Sequence, residues 1–188
     1  RAFVVMLNNV YSTLKTNILP TDRTLTFLPL SHVFGRCDSM LSLVFDFECV
    51  FAESLDKVVD NLQVAKPTIL LAVPRIFEKV YSKVLENIQK ENELKKKVFD
   101  WAIGASSAYY KKINDDKSPS ALEILQKNLA YKLVFEKIYK RFGGRIRFLV
   151  SGGAPLSPEI VRFLQNANLT ILEGYGLTET VAPCILNP

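Results

Sequence analysis

The sequence predicts an α/β fold: a mostly parallel sheet flanked by helices, with a helical insertion. Three observations carry that expectation. Short apolar runs ending in Gly or Pro recur at 24–30, 68–74, 146–155 and 169–176; amphipathic stretches lie between them; and the interval from about 77 to 141 is charged and poor in strand formers. With 188 residues, 48% of them apolar, the chain is long enough to bury one sizeable core.

In chain order, RAFVVMLNNVYSTLK (1–15) has the apolar spacing of an amphipathic helix but no cap before it, and the chain opens on Arg1 rather than Met. A piece cut from a longer protein is the expectation. TLTFLPL (24–30), closed by Pro29, reads as a buried parallel strand. Ser54 is expected to cap LDKVVDNLQ, with Leu55, Val58, Val59 and Leu62 on one face. TILLAVP (68–74) repeats the strand pattern, and Arg75 after it is expected to pair with Glu78 one turn on.

The helical interval is divided by DDKSPS (115–120). In its second half Leu122, Leu125, Leu129 and Leu133 recur at helical spacing, with Glu123, Lys127, Lys132 and Glu136 off that stripe. Packing of the leucines on the sheet is favoured over contact with a membrane. Lys95, Lys96, Lys97, Lys111 and Lys112 are diluted by Glu91, Glu93, Asp115 and Asp116, so a solvated face is expected there. IRFLVSGGAP (146–155) and LTILEGYG (169–176) give two further strands, and Ser157-Pro158-Glu159 between them has the form of a helix start.

Composition excludes several classes. No apolar stretch is long enough to span a bilayer, and the opening residues do not form a signal peptide. Cys37, Cys49 and Cys184 lack the spacing of zinc ligands or of a disulfide framework and read as reduced, cytosolic thiols. The net charge of +5 suits solubility, and no nucleic-acid partner is expected. Neither GxxxxGK[ST] nor GxGxxG occurs, so no Walker loop or dinucleotide fingerprint is present.

Two segments carry chemistry. In ILEGYGLTET (171–180), Gly174 and Gly176 let the backbone approach a flat ring and Tyr175 offers an aromatic surface. Thr178 offers a hydroxyl to a phosphate, and Glu179 a hard oxygen to Mg²⁺. SGGAPLSPEI (151–160) runs a strand end through two glycines into a helix, a backbone wall suited to a purine. Taken singly, each also reads as an ordinary strand-end turn. His32, the only histidine, reads equally as a packed strand-end residue and as a site residue.

Together LVSGGAPLSPEI and EGYGLTET are similar to the adenylate-forming superfamily of acyl-CoA synthetases, luciferases and peptide-synthetase adenylation domains. LPLSHVFGR (28–36) resembles that superfamily's Pro-Leu-x-His segment, and VPRIFEKVY (73–81) resembles a stretch of its long-chain fatty acyl-CoA ligases. The long span from Arg75 to Ser151 points to the same branch.

The resemblance implies that Gly152, Gly153, Ala154, Gly174, Tyr175 and Gly176 shape the adenine and AMP pocket, that Thr178 meets the α-phosphate, that Glu179 holds Mg²⁺, and that His32 lies by the acyl pocket. It implies a ligase using ATP, Mg²⁺ and coenzyme A to activate a fatty acid, cytoplasmic and in peripheral contact with a membrane. Residues 1–188 would be one partial piece of the N-terminal domain, inactive alone, with the lysine-ended phosphate loop, the ribose-binding aspartate, the hinge and the C-terminal domain outside it. Another adenylate-forming ligase acting on aryl or amino acids, and a non-catalytic nucleotide-binding module, are the alternatives.

Overall fold

A computed structural model of the protein describes residues 1–181 and 183–186. Among them six strands, β1 (Arg23–Thr26), β2 (Glu48–Phe51), β3 (Ile69–Ala72), β4 (Phe148–Gly152), β5 (Ile171–Tyr175) and β6 (Ile185–Leu186), form one sheet in the order β2-β1-β3-β4-β5-β6. The first five run parallel, and β6 returns antiparallel to β5. The fold is therefore α/β with a mostly parallel sheet. The sequence pattern does not reveal β2 or β6: the first is a half-exposed edge strand and the second is two residues long.

Each face of the sheet has its own core. In β3 all four residues are buried. Ile69 and Leu71 face α1 (Ala2–Leu14) and α2 (Val33–Phe45), in a cluster with Ile18, Leu41, Phe45 and Phe47. Leu70 and Ala72 point the other way, into the larger core built with α3 (Val58–Ala65), α4 (Pro74–Gln89), α5 (Glu93–Asn114), α6 (Ala121–Ala130), a π-helical turn (Tyr131–Phe135), α7 (Glu136–Arg141) and α8 (Pro158–Asn166). Covering both faces is what a parallel sheet of nearly continuous apolar strands requires.

The helical excursion is present, but its leucine stripe does not pack on the sheet. Leu122, Leu125, Leu129 and Leu133 are 63%, 65%, 47% and 50% exposed. The side assigned to solvent by polarity turns inward instead. Glu123 pairs with Lys112 of α5 at 2.8 Å, and the Lys127 ammonium lies 5.5, 5.9 and 6.0 Å from the ring centres of Tyr109, Tyr110 and Tyr131. Cation–π contact and an ion pair thus replace aliphatic packing as the link between α5 and α6. Phe135 and Ile138 then enter the core beyond the π-helical turn.

Two local expectations are also corrected. Helix α3 starts at Val58 with Lys57 before it; Ser54 forms only a turn, its carbonyl accepting the Lys57 N–H at 3.2 Å, and Leu55 is exposed. The Glu53 carboxylate draws this entry together instead, taking both Lys57 and Asn61. Arg75 and Glu78 are both exposed, and no ion pair joins them among the described residues. Ser157 does cap α8, accepting the Glu159 N–H at 3.3 Å.

The starts of three parallel strands are tied at Asp22. Its buried carboxylate accepts from Leu19 N–H at 2.7 Å, from the Thr68 hydroxyl at 2.6 Å and from Arg147, whose guanidinium also reaches the Asn17 carbonyl at 2.8 Å. Burial alone would raise this carboxyl, but the Arg147 and Thr68 donors outweigh it and hold its pKa below the ordinary value.

Candidate active site

Parallel α/β sheets bind ligands beyond the carboxyl ends of their strands. Here the ends of β4 and β5 face the start of α2 across a cavity of about 260 Å³. Its deep wall is apolar, formed by Met6, Val10 and Leu14 of α1, Leu41 of α2, and Ile69, Leu71, Phe148 and Val150 of the sheet. Its mouth is polar and small-residued: His32, Gly152, Gly153, Gly174, Gly176, Thr178 and Glu179.

Local chemistry fixes that mouth. His32 is the N-cap of α2, its Nδ1 accepting the Phe34 N–H at 3.3 Å. Helix α2 can start there because Gly35 meets the preceding turn without a side chain; a Cβ at Gly35 would lie 2.4 Å from the Pro29 carbonyl oxygen. The GYGLTET segment leaves β5 in a tight turn, with Thr180 N–H on the Leu177 carbonyl at 3.2 Å and Val181 N–H on the Thr178 carbonyl at 3.1 Å. The Cys184 N–H to Tyr175 carbonyl bond, 2.8 Å, brings the chain back alongside as β6.

Seven of the nine site residues read from the sequence therefore share one cavity. Ala154 and Tyr175 do not line it; both are exposed on the outer side of the strand ends. The apolar depth is what sequence reasoning missed. Its only signal was the apolar periodicity of residues 2–14, which identified a helix and not what the helix faces.

Two groups beside the cavity have displaced protonation equilibria. Cys37 lines it, and burial, then the neighbouring Asp38 carboxylate, pushes the thiol up to about 11, which keeps it protonated and inert. Asp38 lies beneath, with Oδ1 3.4 Å from the Thr24 hydroxyl and Oδ2 without a hydrogen-bond partner; burial raises its carboxyl to about 7 despite the Thr26 and Thr24 donors. No disulfide links the three cysteines, and no group of three or more acidic, histidine or cysteine side chains could enclose a metal among the described residues. Glu179 alone presents a carboxylate at the mouth, next to Thr178. That donor set suits a Mg²⁺ carried by substrate phosphates, which commonly takes only one or two protein carboxylates.

Comparison with known proteins agrees with this geometry. The model of the AMP-binding enzyme family matches residues 3–188. A peroxisomal long chain acyl-CoA synthetase 7 of Arabidopsis thaliana is 30% identical over 185 residues, 97% of this chain and 25% of that protein. The long-chain-fatty-acid–CoA ligase FadD15 of Mycobacterium bovis is 38% identical over 160 residues, 85% of this chain and 26% of that protein. This chain thus spans about a quarter of the length of these curated relatives. Among solved structures, the adenylation domain of a carboxylate reductase from Mycobacterium chelonae superposes with a TM-score of 0.60 at 24% identity, covering 84% of this chain and 21% of that one. The o-succinylbenzoate CoA synthetase of Bacillus subtilis, solved with its acyl-adenylate intermediate, gives 0.58 at 16% identity over 99% of this chain and 27% of that one. At these identities the structural likeness establishes the fold alone.

Proposed function

Because the chain belongs to the AMP-binding enzyme family, we propose that it is one partial domain, residues 1–188, of a ligase that activates a long-chain fatty acid with ATP and transfers the acyl group to coenzyme A. The observation that carries this reading is the two-part cavity, with an aliphatic depth between α1 and the sheet and a mouth of glycines, Thr178 and Glu179. The curated relatives at 30% and 38% identity, named as long-chain acyl-CoA synthetase and ligase, support the same substrate class.

In this reading the hydrocarbon tail lies along Val10, Leu14 and Leu71, and the carboxylate emerges at the mouth beside His32. A fatty carboxylate needs no proton removed near neutral pH, so the site has to position it and stabilise charge. Gly152, Gly153, Ala154, Gly174, Tyr175 and Gly176 form the backbone wall against the adenine and AMP. The exposed outer placing of Ala154 and Tyr175 assigns them to the nucleotide side of the wall rather than the acyl side. Thr178 donates its hydroxyl to the α-phosphate. Glu179 holds Mg²⁺, which when bound supplies positive charge to the phosphates.

Attack of the carboxylate on the α-phosphorus gives acyl-AMP and pyrophosphate, and the coenzyme A thiol then displaces AMP. The 188-residue chain alone completes neither step, because it presents only part of the charge that phosphate transfer needs. We place the protein in the cytoplasm, in peripheral contact with a membrane; no helix among the described residues is long and apolar enough to cross one.

The test is pyrophosphate release by the full-length protein across acids from acetate to palmitate. Release that rises with chain length supports the reading. A preference for aryl or amino acids moves the protein to another branch of the family.

A further inference from the structure

We propose that the exposed leucine stripe of α6 is a docking surface for an anionic lipid bilayer. Leu122, Leu125, Leu129 and Leu133 stand at helical spacing on one outward face, each about half exposed or more. Large contiguous apolar patches are uncommon on free surfaces and mark contact sites. At Leu133 the stripe opens into a groove of about 340 Å³ against the start of α5, where the strongly exposed Leu94 joins it.

Charge decides between the possible occupants. Residues 93–141 hold eleven of the chain's 24 lysines and arginines but six of its 19 acids, a net +5 equal to that of the whole chain. The remaining residues are balanced, with thirteen of each sign. The two acids of the α6–α7 stretch are occupied internally, Glu123 by Lys112 and Glu136 by Lys140. Lys132 and Lys137, exposed three residues past Leu129 and four past Leu133, have no ion-pair partner among the described residues. Lys137 and Arg141 also line the groove.

A second copy of this chain would bring the same excess of positive charge to the contact, which like-charge repulsion opposes. An apolar stripe beside unpaired lysines is instead the arrangement of a helix lying in the headgroup boundary of an acidic leaflet. Leucine side chains enter the acyl region while the lysines stay among the phosphates.

The test is sedimentation of the protein, as the full polypeptide where a longer one exists, with vesicles of phosphatidylcholine alone or with a third phosphatidylglycerol. The proposal predicts at least about tenfold stronger binding to the anionic vesicles, weakening as salt rises. It also predicts loss of that binding in Leu125→Ser/Leu129→Ser, with an unchanged thermal midpoint because both side chains are exposed. Lys132→Gln/Lys137→Gln should reduce the preference for anionic over neutral vesicles. Equal binding to both vesicle types, no binding, or full binding by the leucine variant overturns the proposal. So does a concentration-dependent dimer that the leucine variant abolishes, which would assign the face to a second copy. Vesicle binding is read without substrate, so its failure leaves the ligase reading untouched, and absence of pyrophosphate release leaves this one untouched.

Discussion

Phe34 lies directly against Gly152: a Cβ built on Gly152 would sit 3.1 Å from the Phe34 Cζ and 3.2 Å from its Cε1. This contact joins the LPLSHVFGR segment to the SGGAPL segment across the cavity mouth, although 118 positions separate the two residues in the chain. Glycine at 152 is therefore a steric requirement of the partner ring as well as of the turn that follows.

Gly152→Ala is expected to destabilise the protein by roughly 1–3 kcal/mol through overpacking. Phe34→Leu in the same chain should recover part of that loss by withdrawing the ring edge. A double-mutant cycle in denaturant measures the coupling. Strictly additive effects would mean that the ring moves freely and that the contact does not shape the mouth.

Asp38 gives a pH prediction. Its carboxyl is raised from 3.8 to about 7, mainly by burial, so the unfolded chain releases this proton well before the folded one. The associated stability is full below pH 3.8 and declines as pH rises toward about 7, above which no more is lost. Asp38→Asn removes that dependence, and its stability relative to the parent should improve between pH 4.5 and 7.5 by on the order of a few kcal/mol. Thermal or denaturant unfolding at the two pH values checks it; a difference independent of pH would show that Asp38 ionises normally.

Much of this organisation is legible in the sequence because it is local. The apolar runs closing in Gly or Pro became β1, β3, β4 and β5, and Ser157-Pro158 opened α8 as its chemistry requires. The failures are of another kind. The Leu122–Leu133 stripe has the period of a buried face, yet the inward side of α6 was decided by Lys127 finding three tyrosine rings and Glu123 finding Lys112. Partners on another helix are invisible to periodicity. For the same reason the sequence showed the glycines, Thr178 and Glu179 but not the cavity depth, which exists only because α1 folds over Ile69, Leu71 and Val150.

Glu179→Ala is expected to lower pyrophosphate release by the full-length protein about a hundredfold or more, with a raised requirement for Mg²⁺. Glu179 is exposed at the turn, so the folding stability should stay within about 0.5 kcal/mol. Unchanged activity across a Mg²⁺ titration would remove Glu179 as the metal ligand.

The claim that the depth between α1 and the sheet receives the acyl tail is tested most directly by narrowing that depth from its most tolerant wall. Val10 is half-buried and lines the cavity, so Val10→Trp fills space without replacing a core residue. The measurement is the chain-length profile of pyrophosphate release by the full-length protein, parent against Val10→Trp. The account predicts that release with palmitate falls by at least about tenfold while short acids are little affected, moving the optimum to shorter chains. A profile that keeps its long-chain optimum, with all acids slowed alike or none, would contradict it.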